Sequence, residues 1–294
     1  MTRNKTAMGT VMILLAALLW SSNAPFVRWI TLGPFTVAAI RSLIAGLVLL
    51  FFLRPKQIKL NRYFWGFFVC FAALTLGVIV AIKTTSSAIA LGMQYTGCIW
   101  LFLLSKPQKA DFSIGRIWPM LLLLCGVAVS MFSKAEGITL LGNVIAISTS
   151  ISFAGMTYFA KKLDCPNPIG LSCVSNLMLA VLTAIIALIF ETASITNLMQ
   201  IQPVEWAVLL YLGVFQIGAS YALYYSGLRY TPVTTASLLC PLEMILGPVW
   251  TAIFLSEIPD TVGLIGFLIV TAGVLGEAVL SVIRHRAARA TERR

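Results

Sequence analysis

The chain has 294 residues, of which 59% are hydrophobic and only 11% are charged. A soluble domain carries about 25% charged residues, and a mean hydropathy of +0.94 leaves too little polar surface to cover a water-soluble globule. The composition therefore excludes a soluble enzyme or binding domain and predicts a protein whose main solvent is lipid.

The apolar residues form successive runs that approach the length of a membrane-spanning helix. A bilayer core requires about 20 apolar residues of helix. We count ten such runs, at residues 7–29, 34–53, 64–82, 88–104, 117–132, 140–159, 169–190, 206–228, 233–255 and 261–283. The first run has no small-residue cleavage site and should remain as a helix. The sequence thus predicts an all-α membrane protein with ten transmembrane helices.

The net charge of +11 is distributed unevenly between the connecting segments. With ten spans and the amino terminus inside, the cytoplasmic segments hold all but four of the 21 lysines and arginines. The exceptions are Arg28, Lys83 and Lys134 on the opposite side and Arg41 inside a span. This asymmetry predicts a multi-pass protein of the plasma (inner) membrane with both termini cytoplasmic. We expect the basic tail to bind anionic lipid and expect no nucleic-acid partner.

Weak internal similarity relates the two halves of the chain. The segment KTTSSAIALG at 83–92 aligns with RYTPVTTASL at 229–238, and the first run aligns with the sixth so that Trp20 meets Phe153 and Phe26 meets Phe159. Two halves of five spans insert in opposite directions because five is odd. We predict inverted five-helix repeats at 1–136 and 137–286, followed by a basic cytoplasmic tail at 287–294. The alternative is shared apolar composition alone.

Three segments resemble a known family. The second half contains GLRYTPVTTASLLCPLEMILGPVWTAIFLSEIPDTVGLIGFLIVTAGVL, and the first half contains LLAALLWSSNAPFVRW and VAAIRSLIAGLVLL. These segments resemble the EamA-type branch of the drug/metabolite transporter superfamily, with Arg41 at the branch's usual arginine position. The fourth span, within MQYTGCIWLFLLSKPQKADF, departs from the pattern because it lacks the Pro-rich core and the acidic end. The resemblance implies a ten-helix exporter or exchanger of amino acids, nucleotides, drugs or other small metabolites.

Glu243 lies near the middle of the ninth run. A carboxylate in lipid is costly, which favours a functional role in binding a substrate amine or carrying a coupling proton. The alternative is a structural role, in which a basic side chain or a freed backbone donor pairs with it. Pro241, Gly247 and Pro248 interrupt the same helix, and irregular backbone at this depth requires protein or a water-filled cavity around it. We therefore predict a polar interior and a gating or structural role for these three residues.

Other intramembrane polar and aromatic residues have two interpretations each. Arg41 is either a clamp for a carboxylate or phosphate, or a structural group that forms an ion pair or snorkels to the interface. Polar residues in the remaining spans line a cavity or mediate helix packing. On the functional interpretation, the substrate-binding residues are Trp20, Asn23, Gln94, Tyr95, Tyr221 and Glu243.

The leading functional prediction is a secondary transporter that moves a small metabolite such as an amino acid by alternating access. A coupling proton or an exchanged metabolite would supply the energy, because the sequence has no GxxxxGK[ST] motif for ATP. The alternative is a passive channel or a lipid-handling scaffold. We predict no enzyme activity, no metal and no cofactor, because one histidine and few intramembrane carboxylates do not form a catalytic set. The substrate, the direction of transport and the oligomeric state stay open at this point.

Overall fold

The computed structural model describes residues 3–53, 58, 60–104, 114–133, 139–163, 165, 167–228, 230, 239, 242–256 and 258–291. Within these ranges the chain is helical and contains no strand, which confirms the all-α prediction. The α-helices are α1 Arg3–Ser21, α2 Asn23–Trp29, α3 Pro34–Leu49, α4 Arg62–Thr84, α5 Ser87–Gln94, α6 Gly97–Leu104, α7 Ile114–Ser130, α8 Leu140–Leu163, α9 Pro168–Phe190, α10 Thr192–Thr196, α11 Pro203–Tyr211, α12 Ser220–Leu228, α13 Leu242–Leu255 and α14 Thr261–Thr291.

A helix lies on each of the ten predicted apolar runs. In chain order the runs correspond to α1 with α2, α3, α4, α5 with α6, α7, α8, α9, α11 with α12, α13 and α14. A π-helical segment, Leu212–Ala219, joins α11 to α12. Short 3-10 turns at Leu50–Phe52 and Asn197–Met199 follow α3 and α10.

Six helical segments in the described part of the chain are long and apolar enough to cross a bilayer. They are Ala7–Trp29, Pro34–Phe52, Arg62–Thr84, Leu140–Ala160, Ile169–Phe190 and Pro203–Tyr224. Shorter apolar helices occupy Ile117–Ser130, Leu242–Leu255 and Thr261–Glu277. The chain is therefore a multi-pass membrane protein.

The first apolar run breaks between α1 and α2. The hydroxyls of Ser21 and Ser22 each donate to the carbonyl oxygen three residues earlier, at 2.7 Å. Such bonds compete with the regular helical bonds of the backbone. Pro25 has no N–H to donate to the carbonyl of Ser21, four residues before it. These local effects end α1 and let Asn23 begin a new helix.

The fourth apolar run breaks between α5 and α6. The N–H of Thr96 donates to the carbonyl oxygen of Met93 at 3.2 Å, and its hydroxyl donates to the same oxygen at 2.7 Å. These bonds form a tight turn at the end of α5. A Cβ on Gly97 would lie 2.9 Å from the carbonyl oxygen of Ser150, so the start of α6 lies directly against the backbone of α8.

The helices pack through small residues. Along α4 and α8, Gly66 lies against Phe159, and Gly155 lies so close to Cys70 that an added Cβ would be 2.6 Å from its sulfur. Because residue numbers rise along α4 as those of their partners fall along α8, these helices are antiparallel. The pairs α7 with α14, α3 with α9 and α1 with α12 also pack extensively. The buried rings of Phe64, Phe67 and Phe71 form one side of the core.

Charged groups tie the connecting segments together at one end of the bundle. Glu191 accepts bonds from the N–H groups of Phe35 and Thr36 at the start of α3, at 3.0 and 2.8 Å. Arg28 donates to carbonyl oxygens at the end of α4, and Lys83 donates to those of the segment between α2 and α3. The partial charges of helix termini favour this arrangement, so hydrogen bonds link these described segments at this end.

Candidate functional site

Arg41 is buried inside the helical bundle and is held by Asn23. The side chain of Arg41 is 2% exposed, and its Nη1 donates to Oδ1 of Asn23 at 2.8 Å. Asn23 can reach it because the break after α1 places this amide at the start of α2. Burial excludes a side chain that snorkels to the interface, and the observed partner is a neutral amide rather than a carboxylate. Among the described residues, the hydrogen bond of this buried guanidinium therefore goes to a neutral group.

Glu243 is another buried charge-bearing group. It lies in the first turn of α13, is 8% exposed, and its Oε2 accepts a bond from the hydroxyl of Tyr95 at 2.9 Å. Tyr95 sits directly after α5, at the break in the fourth run. The partner is again a neutral group, which satisfies one acceptor site of the carboxylate.

Tyr221 lies in the same region as the two charged groups, near enough for the charges of Glu243 and Arg41 both to act on its phenol. Its ring packs against Trp20, with centroids 5.2 Å apart, and against Phe71, with centroids 6.1 Å apart. We call Asn23, Arg41, Tyr95, Tyr221 and Glu243 the polar cluster. It combines a cationic group, an anionic group and an aromatic wall in one interior region.

Several buried polar atoms in this part of the bundle have no hydrogen-bond partner among the described residues. They include Nε of Arg41, Oε1 of Gln94 and Oε1 of Gln216. An unmade bond costs a buried polar group about 1–3 kcal/mol. A water molecule or a ligand that supplied the missing bond would remove this cost.

The π-helical segment is a feature that the sequence reasoning missed. π-Helical turns are rare and occur frequently at functional sites. Here the segment lies against α3, because a Cβ on Gly213 would be 2.5 Å from Ile44 and 3.1 Å from the carbonyl oxygen of Arg41. The segment also carries Gln216, whose carbonyl accepts a bond from the hydroxyl of Ser220. The sequence signal that could have indicated this segment is the pair of glycines, Gly213 and Gly218, within an aromatic span.

The predicted gating residues have different outcomes. Pro241 lies outside the described residues. Gly247 and Pro248 are buried within α13, and a Cβ on Gly247 would be 2.4 Å from Leu91, so the glycine permits close packing of α13 on α5. Pro248 lacks the N–H that would bond to the carbonyl of Met244. The packing contact gives Gly247 a structural role whether or not the helix moves.

Among the described residues, two grooves open on the outside of the bundle, apart from the polar cluster. The larger, of about 540 Å³, lies between α4, α6 and α8. The smaller, of about 230 Å³, lies between the first run, α11 and α13, where Ser22 and Tyr211 hydroxyls are 3.0 Å apart. Within the polar cluster, Asn23, Arg41 and Glu243 are buried, whereas Tyr95 and Tyr221 are partly exposed.

The chain is similar in fold to a solved structure, and part of its sequence matches a known family. A solved structure described only as "Crystal structure of protein" is similar with a TM-score of 0.67 and 17% identity, over 94% of this chain and 98% of that chain. At this identity the likeness shows the fold alone. No curated protein matches the chain. Residues 140–277 match the model of the EamA-like transporter family. This match over residues 140–277 is consistent with the resemblance of the second half of the chain to the drug/metabolite transporter superfamily.

Proposed function

We propose that this protein is a secondary transporter that exports or exchanges a small metabolite, such as an amino acid, by alternating access in the plasma (inner) membrane. The family of residues 140–277 supports a membrane transporter. The polar cluster supports a zwitterionic substrate. The observation that carries the proposal is that Arg41 and Glu243, two buried groups of opposite charge, are each held by a neutral partner.

In this proposal the polar cluster binds the two ends of an amino acid. The Glu243 carboxylate receives the ammonium group, and the Arg41 guanidinium receives the carboxylate through the donors that Asn23 does not occupy. Charge-assisted hydrogen bonds of this kind are stronger than neutral ones. Trp20 and Tyr221 form an aromatic wall for an apolar side chain. Gln94 and Gln216 contribute buried oxygens that accept from the substrate or from water that enters with it.

The helix packing supports an architecture of ten spans in two inverted repeats. In such an architecture, spans one to five correspond to spans six to ten, so each span exchanges with the one five positions away. The third and sixth spans, α4 and α8, then map onto the eighth and first, α12 and α1, and both pairs pack. The contact of α5 and α6 with α8 likewise maps onto that of α13 with α1 and α2. The pairs α3 with α9, α7 with α14 and α5 with α13 map onto themselves.

The two external grooves follow the same exchange. The larger groove is lined by the third, fourth and sixth spans, and the smaller by the eighth, ninth and first. On the first and sixth spans the lining positions correspond at a constant offset of 133 residues. The corresponding pairs are Leu18 with Ile151, Ser22 with Gly155, Pro25 with Tyr158 and Phe26 with Phe159. The agreement supports repeats at 1–136 and 137–286.

Alternating access requires that the polar cluster opens to each side in turn. Cytoplasmic termini and the charge asymmetry of the sequence would place the end closed by Glu191, Arg28 and Lys83 outside. The breaks after α1 and α5 lie next to the cluster residues Asn23 and Tyr95, so bending at either break would move one side of the site. A coupling proton or an exchanged metabolite would drive the cycle.

Counterflow in proteoliposomes tests the proposal. Vesicles that contain purified protein and a high internal concentration of one metabolite are diluted into labelled metabolite, across a panel of amino acids, nucleotides and other small metabolites. We expect saturable uptake for zwitterionic amino acids that exceeds uptake by empty vesicles. Unsaturable conductance with single-channel currents would indicate a channel. Absence of exchange for the whole panel, with lipid movement instead, would indicate a scaffold that handles lipid.

A further inference from the structure

The larger external groove is an apolar cleft on the surface of the bundle. Its floor is formed by small residues, Ala73, Ala154 and Gly155, and its rim by Leu103 and Ile151, which are about half exposed. Since the protein is embedded in a membrane, this exposed surface faces lipid. A groove of about 540 Å³ has the size of sites that bind drug-sized ligands. It can therefore hold a long apolar chain.

The shape of the groove is fixed by specific contacts. Gly155 brings α8 within contact of Cys70 on α4, which leaves the space above the floor unfilled. On the opposite wall, Nε1 of Trp100 donates to Oγ of Ser150 at 2.8 Å, which fixes the orientation of the indole. With its N–H occupied, Trp100 presents ring surface rather than a polar atom. The groove is thus suited to hydrocarbon and offers few partners to a polar solute.

Basic side chains lie at one end of the groove. Because α4 and α8 are antiparallel, the start of α4 and the end of α8 lie at the same end of the bundle. Lys162 Nζ lies 5.9 Å from the ring centre of Tyr158, which itself lines the groove. The guanidinium of Arg62 lies 4.8 Å from the ring centre of Tyr63 and donates to its hydroxyl at 2.8 Å. Both basic side chains are exposed.

The aromatic residues at this end give the depth of the groove in the bilayer. Tyrosine and tryptophan are enriched where the hydrocarbon meets the headgroups. Tyr63, Tyr158 and the half-exposed Trp65 mark that level here. The apolar groove then extends from the headgroup level toward the bilayer centre, and Lys162 and Arg62 lie among the headgroups. This is the arrangement that the charge and the chain of an anionic phospholipid require.

We propose that the groove between α4, α6 and α8 binds an anionic phospholipid, with one acyl chain between Trp100 and Tyr158 and the phosphate at Lys162 and Arg62. Each basic residue near an anionic surface contributes about 1 kcal/mol of attraction, which corresponds to about a fivefold change in affinity. The site depends on membrane embedding and is independent of which solute the polar cluster transports.

The test uses purified full-length protein in detergent, titrated with phosphatidylglycerol or with phosphatidylcholine that carries the same acyl chains. Thermal unfolding gives the apparent affinity, because a ligand that binds only the folded state raises Tm. We expect phosphatidylglycerol to raise Tm at lower concentration than phosphatidylcholine. Lys162→Gln should lower the apparent affinity for phosphatidylglycerol about fivefold. Lys5→Gln, which removes an exposed charge on α1, should leave that affinity unchanged.

A second pair of variants tests the position of the acyl chain. Ser152→Phe fills the groove, and Ser148→Phe adds the same ring one turn earlier on α8, outside the lining. The two serines are matched, since each hydroxyl donates to a carbonyl oxygen of its own helix. We expect Ser152→Phe to abolish the lipid-dependent rise in Tm and Ser148→Phe to retain it. Equal rises in both variants, equal responses to the two lipids, or equal losses in Lys162→Gln and Lys5→Gln would overturn the proposal.

A measurement on protein with an intact groove covers the case in which Ser152→Phe does not fold. Brominated phosphatidylglycerol quenches tryptophan fluorescence at short range, and the difference between wild type and Trp100→Phe isolates the contribution of Trp100. Stronger quenching of Trp100 by brominated phosphatidylglycerol than by brominated phosphatidylcholine supports the site, and equal quenching overturns it. Because transport is not measured, a negative result leaves the proposed transport function unaffected.

Discussion

The sharpest test of the polar cluster is the substitution Glu243→Gln. Glutamine has nearly the same size, and its amide oxygen can still accept the hydrogen bond from Tyr95. The change removes the charge assistance of that bond, a loss of about 1 kcal/mol, and it also removes the cost of burying a charge. We therefore expect a Tm within a few degrees of the wild-type value.

The effect on substrate binding should be much larger. A hydrogen bond to a charged group contributes about 1.5–3 kcal/mol, so losing the ammonium partner should raise the KM of counterflow about 10- to 150-fold. The control Tyr95→Phe keeps the carboxylate but removes its hydrogen-bond donor, and it should raise KM by only about fivefold. Wild-type KM and maximal rate in Glu243→Gln from acidic to alkaline pH would refute the role given to the carboxylate.

Three further substitutions test contacts that hold the bundle and its site together. Asn23→Ala leaves the buried guanidinium without its amide partner and should lower the free energy of unfolding by about 1.5–3 kcal/mol. The control Asn143→Ala loses a neutral bond from a threonine and should lower it by about half as much. Equal losses in thermal unfolding would contradict a charge-assisted bond between Arg41 and Asn23. Glu191→Ala removes the carboxylate at the start of α3 and should cost about 2 kcal/mol; an unchanged Tm would contradict its role there. Gly213→Ala should lower Tm because its Cβ would lie 2.5 Å from Ile44. The control Gly92→Ala, whose Cβ would have its nearest neighbour at 3.7 Å, should leave Tm unchanged or raise it. A lower Tm for Gly92→Ala than for Gly213→Ala would contradict the close approach of the π-helical segment to α3.

The two helix breaks give the proposed site its geometry. Each break occurs where hydroxyl groups bond to nearby carbonyls, and each places a cluster residue, Asn23 or Tyr95, at a helix end rather than within a regular helix. A side chain at a helix end can approach a partner that a regular helix would direct elsewhere. The irregular backbone and the polar cluster are therefore one structural feature.

Some parts of the site were predictable from local sequence. Glu243 and Arg41 were identified because a charge inside an apolar run is costly in lipid, whatever its neighbours are. The neutral partners of both charges were not predictable. The sequence equally allowed an ion pair or a snorkelling Arg41, because each alternative satisfies the same local pattern. The π-helical segment was also not predicted, since its backbone shift depends on packing against α3.

The sequence by itself determined that lipid surrounds this protein, where its apolar helices lie and which of them contain polar residues. These properties depend on the length and composition of single segments, which the free energy of transfer into lipid sets locally. The tertiary structure decided which groups meet. Arg41 and Asn23 are 18 residues apart, Tyr95 and Glu243 are 148 apart, and the external groove combines three helices. Such pairings depend on how glycines and other small residues let helices approach one another, and no single segment contains that information.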